Sequence, residues 1–403
     1  MAKRKKKWRK FRHKIVFGIG RHVVNLMVKA KYKAKITKFK AQQKRPYLIL
    51  ANHQTAYDQF FVTLAFKGPL YFVASEDLLS MGKVSGVIKY LTGIIPIKKQ
   101  TTDVRAVMNC MQVASEGGSI AIFPEGNRTF SGKTEYINPA IIPLVKKLKM
   151  PIALFRIEGG YGVHPRWSDV VRQGKMTAGV TKVIEPQEYK EMTDEQLRQV
   201  IEQELFVDDS IDNKEYSHDN RAEYLERAVY VCPKCGLSSF YSEGNNIKCL
   251  KCGIQAEYTV DKRLKGIDCE FPFQTVNEWY EYQKDFVNTL NPNDYSSEPL
   301  YDEQVKISLV QLYKKKIVLD ENAGLKLFGD KIIMTVNGEE KVMPFASLSA
   351  VSVLGKNKLN VYYGKEVYQI KGEKRFNALK YVNMFYRHKN VSKGEENDKF
   401  LGL

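Results

Sequence analysis

Apolar residues near the start of the chain recur at helical spacing. Trp8, Phe11, Ile15, Ile19, Val23, Leu26 and Ala30 stand three or four apart, with Lys, Arg and His between them. That period predicts an amphipathic helix over residues 5–30, weakened at Gly18 and Gly20. Residues 31–35 alternate basic with apolar and predict a strand, and the apolar run 47–50 predicts a buried strand ending at Asn52. Thr102 or Asp103 can cap a helix carrying Val104, Val107, Met108 and Met111, stopped by Gly117–Gly118. Strands follow at 119–123, 151–157 and 176–184. Such alternation predicts an α/β layer with a mostly parallel sheet flanked by helices.

The pattern then changes. Polar, acidic residues 207–226 read as a linker or exposed helix. Thr275-x-x-Glu278 is a capping box for a helix with Val276, Trp279, Phe286 and Leu290. Residues 305–371 hold short strands split by turns such as Asn337-Gly338, a favoured hairpin pair. A last helix, 374–387, places Phe376, Leu379, Val382 and Tyr386 on one face. The expected plan is a basic arm (1–30), the α/β domain (31–206), a linker (207–227), a cysteine module (228–262), a helical connector (263–300), a β-rich domain (301–390) and a tail (391–403).

Charge sharpens the reading of the arm. Of 64 Lys and Arg, 18 lie in residues 1–45, which contain no Asp or Glu; the remainder holds 46 basic against 45 acidic residues, so nearly all of the net +19 belongs to one segment. A basic arm suits nucleic acid or an anionic membrane surface. The interleaved apolar stripe favours the membrane, since a merely solvated arm needs none. Each Lys or Arg near an anionic leaflet is worth about 1 kcal/mol. No stretch approaches the ~20 apolar residues of a spanning helix, and residues 15–19 are also short for a signal-peptide core. Six cysteines in 403 residues do not suggest a disulfide scaffold; four in C-x-x-C pairs point to metal in a reducing compartment. The expectation is a cytoplasmic protein, peripheral on the cytoplasmic face of a membrane.

Two segments carry chemistry. Asn52-His53-Gln54-Thr55-Ala56-Tyr57-Asp58 follows a predicted strand. A His with a nearby carboxylate suits a general base, because the carboxylate fixes one ring nitrogen while the other takes a proton. Alone, the pattern also fits a surface or capping pair. Phe123-Pro124-Glu125-Gly126-Asn127-Arg128-Thr129 follows another strand, with Gly126 allowing close backbone approach and Arg128 offering a planar donor fork for phosphate. Its plain alternative is a Pro-Gly turn with a solvated Glu–Arg pair. Both segments sit at C-terminal ends of predicted strands, where open α/β sheets bind ligands.

This pair resembles the hallmark of the lysophosphatidate (1-acyl-glycerol-3-phosphate) acyltransferases, Asn-His-x4-Asp followed by Phe-Pro-Glu-Gly-x-Arg-Ser/Thr. The block Gly93-Ile94-Ile95-Pro96-Ile97-Lys98 resembles the family's second motif. The similarity extends over residues 30–205. The resemblance implies that His53 deprotonates a lysophospholipid hydroxyl, which attacks an acyl thioester delivered by coenzyme A or acyl carrier protein, and that Asp58 orients His53. It further implies that Lys98, Glu125, Gly126 and Arg128 bind the acceptor, with Arg128 on the glycerol phosphate. The expected acceptor is 1-acyl-glycerol 3-phosphate, the alternatives being glycerol 3-phosphate or another lysophospholipid. Lys98 stands where the family has Arg, Ile137-Asn138-Pro139 replaces a usual Lys-x-Gly, and of a Pro-x-x-Pro only Pro151 remains, with Leu154 at its second position. These departures bear on the acceptor more than on the chemistry.

Cys232-Pro-Lys-Cys235-Gly and Cys249-Leu-Lys-Cys252-Gly suit a tetrahedral, structural Zn²⁺ and resemble a zinc ribbon; a redox dithiol or iron–sulfur site is the alternative. Four thiolates leave no open position for catalysis, and Cys110 and Cys269 are expected to be inert. The strands of 305–371 with their closing helix resemble a pleckstrin-homology-like module. A nucleic-acid-binding protein would also combine a basic arm with a zinc ribbon, but that reading leaves both sheet-edge motifs unused, and no nucleic-acid partner is expected.

Overall fold

The computed structural model describes residues 7–43, 45–75, 83–97, 103–311, 315–395 and 401. The chain divides into two compact units, one of residues up to 165 with 173–214, the other of 166–172, 215–311 and residues from 315 onward.

In the first unit, α1 (Phe11–Tyr32) leads through β1 (Lys35–Ile36) to an alternating series: β2 (Leu48–Ala51), α2 (Asp58–Ala65), β3 (Leu70–Ser75), α3 (Lys83–Thr92), β4 (Ile95–Ile97), α4 (Val104–Ser115), β5 (Ser119–Ile122), α5 (Ile141–Leu148), β6 (Ile152–Glu158), α6 (Gly160–Val163), β7 (Thr177–Ile184), α7 (Pro186–Lys190) and α8 (Asp194–Leu205). The strands form one sheet in the order β1-β7-β6-β2-β5-β3-β4. Every neighbouring pair is parallel except β6–β7, so the sheet is mixed. β7 returns antiparallel on β6 after a connection, residues 159–176, whose one named helix is the short α6.

β2 lies at the centre, fully buried from Leu48 to Leu50. Its run is unbroken because both faces are covered. Leu48 and Leu50 share a core with Val113 of α4, Ile142 and Val145 of α5, and Ile201 of α8. Buried Ile49 belongs to the other face, where Phe61 of α2, Phe66 and Phe155 are also buried. Asp103 caps α4 by accepting the Ala106 amide at 3.1 Å.

α1 runs unbroken through Gly18 and Gly20 and two residues beyond the predicted end, so the strand expected at 31–35 is reduced to β1 (Lys35–Ile36) after the chain turns at Lys33 (φ +49°). The helix packs on α2 and α3 within this unit, burying His13, Val28 and Tyr32. The predicted stripe faces outward: Phe11, Ile15, Ile19, Val23 and Leu26 are 47–76% exposed. Trp8 instead packs against the core, its amide donating to Glu116. Among the described residues no helix is long and apolar enough to cross a membrane.

Residues 207–226, expected as a linker or exposed helix, include the division between the two units after residue 214 and expose Ile211, Asn213, Glu215, Ser217, Asp219 and Asn220, but the stretch is not solvated throughout. Asp209, Tyr216, Glu226 and Arg227 are buried, Asp209 by docking of its amide on Gly132 O, and Arg227 by bonds to Trp167 O and Asp169. Composition did not show this because two of these charges are paired inside, Glu226 with Arg375 and Arg227 with Asp169.

The second unit opens with the short strands β8 (Val231–Cys232) and β9 (Gly236–Leu237), then the sheet β10 (Phe240–Glu243), β11 (Asn246–Cys249), β12 (Gln255–Tyr258) and β13 (Leu264–Gly266). α9 (Val276–Thr289) starts at Thr275, whose hydroxyl accepts the Glu278 amide, while the Glu278 carboxylate reaches the Gln274 amide. β14 (Tyr301–Leu309), β15 (Ile317–Leu327), β16 (Lys331–Val336), β17 (Glu339–Pro344), β18 (Leu348–Leu354), β19 (Lys358–Tyr363) and β20 (Glu366–Lys371) form an antiparallel sheet ordered β17-β16-β15-β14-β20-β19-β18. α10 (Leu379–Ser392) packs on β18. It begins later than residue 374 and ends later than 387, and the Asn377 side chain accepts the amides of Leu379 and Lys380 at its start.

Candidate active site

The C-terminal ends of the parallel strands β2, β5 and β6 converge on one edge of the first sheet. Asn52 ends β2 and locks it to β6, its amide group bonding Ile157 O at 2.8 Å and Ile157 N at 2.7 Å. His53 follows, and Asp58 opens α2, where the helix dipole favours a negative charge.

His53 Nδ1 lies 2.7 Å from Asp58 Oδ2. Asp58 is fully buried, whereas the His53 side chain is 20% exposed. A carboxylate removed from water needs converging donors, and Asp58 has them: the Gln54 amide at 2.6 Å, the Thr55 amide at 2.9 Å and the Thr55 hydroxyl at 2.6 Å. The strand-to-helix turn therefore builds a cage for one carboxylate. With Nδ1–H held there, Nε2 is the ring nitrogen that carries a lone pair.

The segment after β5 closes the site. Phe123 stacks on the His53 ring, centroids 4.3 Å apart. Glu125 accepts the His53 amide at 2.6 Å, and the Thr129 amide donates to His53 O at 3.2 Å. Burial pushes the Glu125 carboxyl well above the usual range, opposed by the His53 N–H and reinforced by the charges of Asp58 and Glu135. Half-buried Arg128 has its pKa lowered by desolvation, while Asp58 and Tyr32 act to raise it. Gly126 has φ +72° and open space where a Cβ would stand, so its requirement is conformational.

His53, Asp58, Glu125, Gly126 and Arg128 thus share one sheet edge. Lys98 lies outside the described residues; β4 ends just before it. Sequence reasoning missed Thr55, Gln54 and Phe123 as working parts, although each lies inside a motif. It also missed Tyr32 and His164, whose side chains meet at 2.8 Å beside this site across 132 residues, a pairing with no local signal.

In the second unit, Cys232, Cys235, Cys249 and Cys252 bring their sulfurs within 4.8 Å of one another. The Cys232–Cys252 and Cys235–Cys249 sulfurs are 3.5 and 3.6 Å apart, beyond the ~2.05 Å of a disulfide. Ser238 Oγ lies 3.1 Å from the Cys249 sulfur. Cys110 is buried, which pushes its thiol up to about 12, and Cys269 is exposed.

Residues 33–157 match a protein-family model described as Acyltransferase. Among curated proteins, the chain is similar to the chloroplastic 1-acyl-sn-glycerol-3-phosphate acyltransferase BAT2 of Brassica napus, 25% identical over 141 residues (34% of this chain, 39% of that protein). It is also similar to the 1-acyl-sn-glycerol-3-phosphate acyltransferase of Borreliella burgdorferi, 27% identical over 118 residues (28% and 47%). Among solved structures, the 1-acyl-sn-glycerophosphate acyltransferase PlsC of Thermotoga maritima aligns with a TM-score of 0.41 at 21% identity, over 47% of this chain and 77% of that one. The chain spans less than half the length of these two curated relatives.

Proposed function

From the acyltransferase-family domain that this chain carries at residues 33–157, we propose that the protein transfers an acyl group from a thioester of coenzyme A or acyl carrier protein to the free hydroxyl of a lysophospholipid, most simply 1-acyl-glycerol 3-phosphate, giving phosphatidic acid. The observation that carries this reading is the 2.7 Å contact between Nδ1 of the partly exposed His53 and the fully buried Asp58. His53 Nε2 takes the hydroxyl proton as the oxygen attacks the thioester carbonyl. The carbon–sulfur bond then breaks, and the imidazolium returns its proton to the leaving thiolate. Asp58 holds the tautomer and stabilises the imidazolium, and Glu125 fixes the His53 backbone. Arg128 supplies positive charge for the acceptor's phosphate. General-base help is worth ~10²–10⁴ in rate; positioning supplies much of the remainder.

Lys98 in place of Arg, and Leu154 in place of Pro, favour a second reading in which another lysophospholipid or glycerol 3-phosphate is the acceptor. Purified protein with a labelled acyl donor and a panel of these acceptors tests both: product from one acceptor chooses between them, and product from none removes the function.

The outward apolar stripe of α1, with exposed Lys14, Lys29 and Lys31 beside it, supports peripheral binding to an anionic membrane surface, here assigned to the cytoplasmic face. The four clustered thiols fit a structural Zn²⁺. Tetrahedral bonds of about 2.3 Å need sulfurs roughly 3.8 Å apart, close to the observed pairs. This metal takes no step in the transfer.

A further inference from the structure

α1 ends against the wall of the His53 site. Its last residue, Tyr32, is 2% exposed, and its hydroxyl lies 2.8 Å from Nδ1 of His164, which is 3% exposed. A buried hydroxyl and a buried imidazole each cost free energy unless bonded, so the pair has one favourable arrangement. Burial, with the nearby Tyr57 and Asp58, holds the Tyr32 phenol far above its ordinary pKa, keeping its proton available to the imidazole.

Both partners lie against the segment that forms the Asp58 cage, and both rings face Tyr57, the His164 ring at 6.4 Å. The Tyr32 ring meets Tyr57, the residue before Asp58, at 5.0 Å, and meets Phe61 of α2 edge-on at 5.6 Å. His164 follows α6, whose Tyr161 amide donates to Gln54 Oε1 at 3.1 Å. A Cβ on Gly160 would stand 2.7 Å from that oxygen and 3.1 Å from Thr55 Cγ2, so α6 is pressed against the two residues whose amides hold Asp58. The segment before Asp58 and the start of α2 are therefore held by the end of α1 and by α6, and the Tyr32–His164 bond joins these two holds into one clamp.

We propose that Tyr32 and His164 are positioning residues for acyl transfer, fixing the start of α2 so that Asp58 stays aligned on His53 Nδ1; this rests on the reading of His53 as the base. Neither needs to touch the acceptor or the thioester. The pair also ties the geometry of the dyad to α1, the helix that carries the outward apolar stripe.

The test uses the whole chain, phospholipid vesicles containing lysophosphatidate and a labelled acyl thioester. Tyr32→Phe is expected to lower kcat about five-fold, the weight of one hydrogen bond net of water's, with KM for the acceptor changed less than about two-fold. His164→Leu should do the same, the double variant should lose no more than either alone, and His164→Asn, which keeps a polar atom near the Nδ1 position, should recover most of the rate. The deshielded proton resonance of His53 Nδ1–H, assigned by its loss in His53→Ala, should shift or broaden in Tyr32→Phe, an effect that reduced global stability alone does not produce. An active wild type whose Tyr32→Phe and His164→Leu forms keep both kcat and an unshifted resonance overturns the proposal. An inactive wild type removes the acyltransfer reading instead, and the resonance still decides the clamp.

Discussion

Glu125 accepts the backbone N–H of His53 at 2.6 Å, so the segment after β5 sets the backbone of the segment after β2. The resemblance had placed Glu125 on the acceptor; the geometry gives it a bond to the base's own main chain. Glu125→Gln retains an oxygen for that N–H and removes the ionisable proton, whereas Glu125→Ala leaves the N–H without its acceptor. The expected result is activity within about three-fold of wild type for Gln and a loss of about ten- to a hundred-fold for Ala, following the ~1–3 kcal/mol of an abandoned donor. The sign of the pH effect follows from the raised carboxyl. The folded state binds this proton more tightly than the unfolded chain, so stability is greatest below the unfolded value of ~4.3 and is lost as pH rises toward the folded value. Thermal unfolding of Glu125→Gln should therefore depend less on pH than that of wild type; parallel profiles would show that Glu125 is not shifted.

Acyl transfer by His53→Ala measures the proposed mechanism most directly. With a base contribution of ~10²–10⁴, the variant should fall below about a hundredth of wild-type turnover, and more than about a tenth remaining would contradict the mechanism. Asp58→Asn should also be severely impaired. It loses the charge that stabilises the imidazolium, and it offers an amide NH₂ to a cage of three donors from Gln54 and Thr55. Circular dichroism should show both variants folded.

The active edge was legible because its parts are local. A buried strand, a His and a carboxylate five residues on determine which side chains meet, since the first turn of α2 brings Asp58 back onto His53. The link between this segment and residues 123–129 rested on their common place at strand ends, which the parallel pairing of β2 with β5 supplies. What stayed hidden depends on distant contacts: the reversal at β7, the burial of Glu226 and Arg227 in an acidic-looking stretch, and the meeting of Tyr32 with His164. For α1 both the period and, from the basic residues around it, an outward-facing stripe were readable, and Phe11, Ile15, Ile19, Val23 and Leu26 are exposed; the helix's run past residue 30 to Tyr32 was not.

That orientation can be tested without deleting the helix. Phe11, Ile19 and Leu26 are 65–76% exposed, so changing all three to Ser should leave the melting temperature nearly unchanged. Each buried side chain of this size is worth roughly 1.5–3 kcal/mol, so the triple variant should be released from anionic vesicles that sediment the wild type. Wild-type binding should also weaken with salt, as screening shortens to ~3 Å at 1 M. Equal sedimentation of the two proteins would refute membrane docking through this face.

In the second unit, Asp169 receives Arg227 and Lys356, each at 2.8 Å, and Arg227 is almost fully buried. Against burial, which raises it, these bonds bring the Asp169 carboxyl down to about 2. A depressed carboxyl contributes stability above its unfolded pKa of ~3.9, lost as pH falls toward the folded value. Asp169→Asn should thus unfold at lower temperature than wild type at neutral pH, with the gap narrowing between about pH 4 and 2. Because Asp169 is 42% exposed, solvent screening keeps the effect modest. A gap that does not change with pH would assign the loss to packing.

The cysteine cluster allows the sharpest biochemical test, because its neighbours report on it. The Trp279 indole donates to Val231 O at 2.7 Å, and Gln283 Oε1 accepts the amides of Tyr230 and Val231. α9 is therefore bonded to the strand that carries Cys232. If the four thiolates hold Zn²⁺, elemental analysis of protein purified without chelator should find one zinc per chain. Structural zinc binds with about 10–16 kcal/mol of apparent free energy in isolated fingers, so its loss should unfold its surroundings. Cys235→Ser, or stripping with a strong chelator, should speed amide exchange across residues 228–260 and shift Trp279 fluorescence toward that of a solvated indole, while exchange at residues 48–58 around His53 stays as it was. Iron in place of zinc would select the iron–sulfur alternative. Absence of both metals, with unchanged exchange in Cys235→Ser, would mean that apolar packing such as Phe240 on Trp279, with hydrogen bonds such as that between Ser238 Oγ and Cys249, holds this module together.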